Sequence, residues 1–375
     1  MKVTRKAGEL RAAGHEIISF GAGEPDFDSP RVAVEAGRQA LAEGFTRYTP
    51  ASGTTDLRAA VAEHYHTLYG APWQGKNALI TVGAKAALFQ LFQILVDEGD
   101  EVVLPYPAWV SFEEQIRLAG GHPVTVPMSP EDGFAIHAQP LIDALTDRTR
   151  VVLINSPSNP TGGIISPEDL RQLVEACAER GIRVLCDETY ERFIYGGKKH
   201  ASGGSLAGEF PETVILTSSF SKTYAMTGWR VGYALGDAEL IRKVGELQSH
   251  TTSNPTSFAM SGALAALKGA EEDVQRMIIE FEKRRNFLVA QLSSMPGVLC
   301  QPPDGAFYVF PKVAGCYREG RQGSIELASY LLEAAGVAVV PGIAFGNDDH
   351  IRLSFACSRE NLERGLEKMR QALEA

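Results

Sequence analysis

A lysine set among small hydroxyl residues is the first feature of this sequence that could do chemistry. The stretch 217–232 reads TSSFSKTYAMTGWRVG and continues an apolar, strand-like run. Lys222 is poorly placed there for a solvated charge and well placed for a buried amine with a lowered pKa, as a Schiff-base lysine needs. Arg230 could hold an anion by a bidentate contact, with the Ser219 and Ser221 hydroxyls adding hydrogen bonds. Spacing alone also allows an ordinary surface lysine.

Four further side chains follow apolar runs by a few residues. Asp187 closes the run RVLCD and could be a base, a metal ligand, a helix cap or a counter-charge that keeps a heterocyclic nitrogen protonated. No histidine or second carboxylate gathers with it at metal-ligand spacing, so no metal is expected. Tyr190 and Asn159 could bond a ligand oxygen, or be a buried tyrosine and a turn residue. Trp109 could stack on a planar ring or belong to the core.

Two other positions could bind anions. The step Gly83–Ala84–Lys85 leads from a strand into a helix, whose free N–H groups could cradle a phosphate. A glycine is also what any tight turn requires. In HIRLSFA, strand alternation puts Arg352 and Ser354 on one face, where the arginine could bind a carboxylate or lie exposed.

Together these groups fit one cofactor. They comprise a Schiff-base lysine, a phosphate cup, a carboxylate for a ring nitrogen, two donors to a phenolate oxygen, a stacking aromatic and an arginine for a carboxylate. Pyridoxal 5'-phosphate that handles an amino acid uses all of them. No GxSxG or Walker-type motif is present, and GxGxxG is absent as a strand-to-helix fingerprint, so a nicotinamide enzyme is not supported.

The elements that must position these residues alternate between strand and helix up to about residue 240. This pattern predicts an α/β fold, in which a large domain has a mostly parallel sheet covered by helices on both faces. The candidate residues would then meet at the carboxyl ends of its strands. The later pattern predicts a smaller α+β domain. We expect an N-terminal segment (1–25) that packs with the small domain, a large domain (26–270) and a small domain (271–375).

Composition narrows the possible partners. A net charge of -10 without any basic run argues against nucleic acid and anionic membranes. The polar N-terminus does not resemble a signal peptide, and no stretch has the apolar length of a transmembrane helix. The five cysteines are scattered, which suits reduced thiols in a cytoplasm. The HYH run at 64–66 is interpreted as a solvated helix surface.

The sequence resembles the fold-type I pyridoxal-phosphate aminotransferases of class I/II, specifically the bacterial aspartate aminotransferase subgroup. The resemblance runs from about residue 5 to the end. It is carried by GAGEPDFDSP, RYTPASG, VGAKAALFQ, YPAWVSF, NSPSNPTG, CDETYERFIY, SSFSKTYAMTGWRVGY, GAFYVF and HIRLSFA.

The resemblance implies a role for each candidate residue. Lys222 would carry the cofactor and shuttle the proton. The other cofactor contacts would be the Ala84 and Lys85 amides, Ser219 and Arg230 at the phosphate, Asp187 at the pyridine nitrogen, Asn159 and Tyr190 at the 3'-oxygen, and Trp109 over the ring. Arg352, Asn159 and the main chain at Gly23 would bind the substrate carboxylate. Tyr48 would reach the phosphate of a neighbouring subunit, which makes the expected active unit a homodimer with a shared active site.

The expected activity is ping-pong transamination between an amino acid and a 2-keto acid, with aspartate and 2-oxoglutarate as the expected pair. The resemblance also places Lys85 at the position where members of the subgroup contact the distal carboxylate of the substrate. Lys85 could instead be a solvated lysine at the start of a helix. The family's segment ahead of the first helix is missing, so a more open entrance is expected. The alternatives are an aromatic amino acid or prephenate as substrate, or a lyase on the same fold. A non-enzymatic effector-binding domain would need a DNA-binding domain in front.

Overall fold

The computed structural model describes residues 2–374 of the chain. Its helices are α1 Lys2–Ala12, α2 Arg31–Ala42, α3 Thr55–Tyr69, α4 Ala84–Leu95, α5 Ser111–Leu118, α6 Ala138–Asp143, α7 Pro167–Glu179, α8 Phe220–Thr223, α9 Ala238–Thr251, α10 Ser257–Gly269, α11 Glu271–Ser293, α12 Ser324–Ala335 and α13 Arg359–Glu374. Its strands are β1 Ile18–Ser19, β2 Ala78–Thr81, β3 Glu101–Tyr106, β4 His122–Pro127, β5 Thr149–Asn155, β6 Arg183–Asp187, β7 Val214–Ser219, β8 Gly232–Leu235, β9 Tyr308–Val309, β10 Val337–Ala338, β11 Val340–Pro341 and β12 Ile351–Ser354.

A seven-stranded sheet forms the centre of the larger part, in the order β2-β8-β7-β6-β5-β3-β4. Its strands pair in parallel except for β8, which is antiparallel to both β2 and β7. Every residue of β7 is buried, as are all of β5 and β6 except Arg150 and Arg183. Such continuous burial is typical of parallel strands that are covered on both faces. The predicted α/β architecture is therefore confirmed.

Two apolar clusters cover the two faces of this sheet. One joins the sheet to α2, α3, α7 and α10 through residues such as Leu57, Leu173 and Ala263. The other joins it to α4, α5 and α9 through residues such as Leu88 and Val244. The sheet is thus held between helices, and the carboxyl ends of its parallel strands share one open edge.

A third apolar cluster holds the C-terminal part of the chain. It contains buried residues of α11, α12 and α13, and it also takes in Ala7, Ile18 and Phe20 from the N-terminal segment. Strand β1 pairs in parallel with β10, with Ile18 opposite Val337. A three-stranded sheet, β11-β12-β9, carries Arg352 toward the larger part.

Two details differ from the sequence-based expectations. Helix α6 was not predicted, because its six residues are too few to show helical periodicity. The interpretation of residues 64–66 as a solvated surface holds for His66, which is exposed, but it was wrong for His64 and Tyr65. The His64 side chain is only 13% exposed and its Nε2 lies 3.3 Å from Glu191, while Tyr65 is fully buried. Within residues 2–374, none of the helices combines the length and the apolar character needed to cross a membrane.

Candidate active site

One cavity of about 370 Å³ gathers nearly all of the residues that the sequence singles out. It opens at the carboxyl ends of β5, β6 and β7 and at the N-terminus of α4. Its lining includes Gly23, Ala84, Lys85, Trp109, Asn159, Asp187, Tyr190, Ser219, Lys222, Arg230 and Arg352. Tyr48 is not among the lining residues, and it is 90% exposed on the surface of this single chain.

Lys222 lies on α8, the single helical turn that follows β7. Ser219 begins this turn, and its hydroxyl accepts a hydrogen bond from the Ser221 amide at 3.3 Å. The Lys222 amine donates to the carbonyl of Gly23. Burial disfavours the ammonium form and lowers the pKa of Lys222 to about 8. The amine is therefore closer to its nucleophilic, neutral form than a solvated lysine is.

Several hydrogen-bond donors lie close together where α4 begins. Gly83 has φ 77° and ψ 162° and provides no side-chain cap, which leaves the first amides of α4 available to a ligand. The Arg230 guanidinium packs directly on this glycine, since a Cβ at Gly83 would lie 2.5 Å from Arg230 Nη2. Nη1 of Arg230 donates to the Thr227 carbonyl at 2.8 Å. Backbone amides and a guanidinium thus converge on one small space.

Asp187 ends β6 with its side chain 4% exposed. One carboxylate oxygen accepts hydrogen bonds from the Thr189 hydroxyl at 2.7 Å and from the Thr189 amide at 3.2 Å. Burial outweighs these bonds and raises the pKa of Asp187 to about 6. A buried carboxylate of this kind gains from a cationic partner placed in the cavity.

Arg352 connects the smaller sheet to the cavity wall. Its Nη1 donates to the Asn159 side-chain oxygen at 2.9 Å, and its Nη2 donates to the Gly21 carbonyl at 3.2 Å. Its Nε is buried and has no hydrogen-bond partner anywhere in the described chain. The guanidinium also lies 4.3 Å from the centre of the Tyr308 ring. A carboxylate bound next to Arg352 would accept a hydrogen bond from its unpartnered Nε.

Three aromatic side chains line the cavity, namely Trp109, Tyr190 and Tyr308. The Tyr190 hydroxyl lies 3.1 Å from the Tyr308 hydroxyl, and both tyrosines are buried. The Lys85 amine lies 4.7 Å from the centre of a Trp109 ring, a cation–π distance. The cavity therefore offers an aromatic face next to a positive charge.

Sequence reasoning missed several lining residues, among them Asn155, Thr189 and Tyr308. Asn155 donates to the Asp187 carbonyl and accepts from the Asn159 amide, so it joins two strand ends. The hydroxyl of Thr189, two residues after a carboxylate, was a usable local signal. Tyr308 gave no such signal, because its contact with Tyr190 joins residues 118 positions apart.

The fold and the cavity define an α/β enzyme whose site lies at the carboxyl ends of parallel strands, where a lysine and an anion cup face each other. The family model "Aminotransferase class I and II" matches residues 15–369, so the chain belongs to that family. It is an aminotransferase of fold type I, and the resemblance noted in the sequence is confirmed.

Relatives cover the whole chain. The aspartate aminotransferase of Geobacillus stearothermophilus is 43% identical over 100% of this chain and 96% of its own length. A probable aspartate/prephenate aminotransferase of Aquifex aeolicus is 44% identical, over 100% and 95% respectively. The structure of Thermus thermophilus aspartate aminotransferase with maleate superposes with a TM-score of 0.94 at 39% identity, covering 99% of this chain and 95% of that one.

Proposed function

We propose that this aminotransferase uses pyridoxal 5'-phosphate in the cavity around Lys222. The supporting observation is the donor set of that cavity: a half-buried amine, a cup of helix amides and Arg230, and the buried carboxylate of Asp187. A Cβ at Gly83 would fill the cup, which fits a space reserved for a phosphate. When bound, this cofactor supplies an electron sink that makes the α-proton of an amino acid removable.

The protein's own residues have separate tasks in this proposal. The α4 amides, Ser219 and Arg230 would bind the phosphate, while Asp187 would pair with the pyridine nitrogen. Asn159 and Tyr190 would donate to the 3'-oxygen, and Trp109 would pack on the ring. Arg352, Asn159 and the Gly23 main chain hold the α-carboxylate of the substrate, which fixes the orientation of its Cα–H bond.

Lys222 moves the proton. Its lowered pKa leaves part of the amine neutral near neutral pH, so it can accept the proton from the substrate α-carbon. The same amine would hold that proton and give it back within the same half-reaction. The amino group would stay with the enzyme when the first keto acid leaves and would pass to the second keto acid, which gives ping-pong kinetics.

We further propose aspartate and 2-oxoglutarate as the substrates. The names of the relatives and the Lys85 amine at the Trp109 ring support a second carboxylate on the substrate. An aromatic substrate or prephenate is the second candidate, because Trp109 offers an apolar face. A structural neighbour described as an aromatic aminotransferase of Pyrococcus horikoshii, with a TM-score of 0.91 and 36% identity over 98% of both chains, agrees with that candidate. A lyase on this fold is the third.

Product analysis separates these possibilities. Purified holoenzyme given aspartate alone should form no more oxaloacetate than there are active sites, and 2-oxoglutarate should restore turnover. Ammonia or pyruvate released continuously without a keto acid would instead establish a lyase. Comparison of kcat/KM for aspartate, phenylalanine and prephenate then ranks the substrates. Lys222→Ala should form no product with any of them.

The same proposal extends to assembly and surroundings. The exposed Tyr48 supports a homodimer in which each subunit completes the phosphate site of the other. The apolar clusters support an N-terminal segment (1–25), a large domain (26–270) and a small domain (271–375), of which residues 1 and 375 lie outside the described range. All five cysteines are unpaired, which supports a cytoplasmic location.

A further inference from the structure

A second group of buried charges lies on the segment that carries Asp187 and Tyr190. Glu188, Glu191 and His200 place one atom each within 4.8 Å of one another. The Glu188 and His200 side chains are 2% and 4% exposed, and His200 Nε2 lies 2.9 Å from a Glu188 oxygen. Buried carboxylates need such partners, because desolvation makes an unpaired charge costly. The proposed reaction uses none of these three side chains.

Donors from the protein already surround both carboxylates. Glu188 accepts from the Ser202 hydroxyl at 2.9 Å and from the Gly203 amide at 2.8 Å. Glu191 lies 3.3 Å from His64 Nε2 and accepts from the Tyr69 hydroxyl at 3.0 Å. Hydrogen bonds of this kind favour the ionised carboxylate. The group is therefore a hydrogen-bonded network in which both carboxylates already have donors from the protein.

The network is electrostatically linked to Asp187. Burial is the main cause of the raised pKa of Asp187, about 6, and the charge of the next residue, Glu188, raises it as well. Burial works against the charged form of His200, but the carboxylates of Glu188 and Glu191 together outweigh it, and the pKa of His200 is raised. A protonated His200 therefore cancels the charge on Glu188 that would otherwise oppose ionisation of Asp187.

We propose that His200 is a positioning residue that acts through Glu188: its imidazolium neutralises this carboxylate and so keeps the neighbouring Asp187 ionised for a cationic ring nitrogen. This inference rests on the proposed use of pyridoxal 5'-phosphate. His200 touches neither the cavity nor the cofactor site, so its effect is carried by charge.

Other ionisable groups around the pair come from three elements and the active site. They are Glu191, His64, Tyr65 and Tyr69 toward α3, Cys186 on β6, Tyr233 on β8, and Lys222 on the far side of Asp187. Glu191 has its own partners, and burial raises the pKa of the tyrosines and of Cys186, which keeps them neutral. Among the residues that the structure describes, His200 is the basic side chain that lies 2.9 Å from Glu188.

The test measures the dissociation constant of pyridoxal 5'-phosphate from the apoprotein across the pH range in which Asp187 titrates. Affinity should fall as Asp187 takes up its proton. His200→Gln should move the midpoint of that fall upward, and each pH unit of movement corresponds to about a tenfold loss of affinity within the transition. Glu188→Gln should move the midpoint downward. The double variant Glu188→Gln/His200→Gln should return the midpoint to the wild-type value. His137→Gln is a matched control, because His137 pairs with Asp132 on the surface of the protein.

Opposite shifts from the two single variants are the decisive result, because structural damage alone would weaken binding at every pH without this change of sign. An unchanged midpoint in His200→Gln, or an upward shift in Glu188→Gln, would overturn the inference. If circular dichroism shows that His200→Gln does not fold, the direction of the midpoint shift in Glu188→Gln is the test. Failure of the wild-type apoprotein to bind pyridoxal 5'-phosphate would instead refute the proposed function.

Discussion

Replacing Gly83 by alanine tests the proposed phosphate site at the start of α4. Gly83 has φ 77° and ψ 162°, a region of backbone conformation that is essentially restricted to glycine. Forcing alanine into it should cost about 1–3 kcal/mol of folding free energy. The new methyl group would also lie 2.5 Å from Arg230 Nη2, so the guanidinium must shift from its present position. Loss of a hydrogen bond to a charged group costs about 1.5–3 kcal/mol, or roughly ten- to a hundredfold in affinity for the phosphate.

A second glycine provides a matched control. Gly323 precedes α12 with φ 87° and ψ 164°, nearly the same conformation, but it lies outside the cavity. Gly323→Ala should therefore show a similar loss in denaturant unfolding of the apoprotein while its affinity for pyridoxal 5'-phosphate stays at the wild-type value. Gly83→Ala should lose both stability and affinity.

The comparison refutes the reasoning in either of two ways. If Gly83→Ala binds pyridoxal 5'-phosphate as tightly as the wild type, the cup at α4 is not the phosphate site. If Gly323→Ala loses affinity to the same extent, the effect comes from general destabilisation. Pyridoxal, which has no phosphate, should bind Gly83→Ala and the wild type with equal affinity. This result would show that the variant loses affinity for the phosphate group.

Three more predictions follow from burial and charge. Asp187 has a pKa of about 6 in the native state, compared with 3.8 ordinarily. Between these two values the native state keeps a proton that the unfolded state has lost, so the free energy of unfolding of the apoprotein should fall as pH rises. Urea titrations of Asp187→Asn should lack this dependence. Arg352→Lys should raise the KM for aspartate about tenfold or more by removing a bidentate contact, whereas Arg359→Lys, on the surface, should not. Denaturant unfolding should show that Phe281→Ala, at a fully buried position, lowers the free energy of unfolding by about 3–5 kcal/mol. Ile279→Ala, at a 54% exposed position, should lower it by about 0.5 kcal/mol or less.

The sequence predicts the sheet well because its strands are local signals. The apolar runs that became β5, β6 and β7 are continuous, and parallel strands buried on both faces require that pattern. Once these strands are parallel, the residues that follow them must meet at one edge, which explains why Asn159, Asp187 and Lys222 could be grouped without a structure.

Contacts between distant segments were not predictable in the same way. His64 sits in a polar-looking helical run, and only the approach of Glu191 from the segment after β6 shows why it is buried. Tyr308 and His200 likewise acquire their roles from partners that the fold supplies. Local residue type and spacing contain no information about such pairs, because the sequence separation is large and either partner alone suits a surface.

The burial that makes Lys222 reactive also lowers the stability of the apoprotein, because it disfavours charged side chains in the site. It lowers the pKa of Lys222 to about 8 and raises that of Asp187 to about 6, so each charged form is disfavoured in the native state. A ligand that is covalently attached to the amine and brings a cationic nitrogen to the carboxylate relieves both costs at once. Because such a ligand binds only the folded chain, it must stabilise the fold by mass action. Reactivity of the site and stabilisation of the fold by such a ligand would therefore share one physical origin.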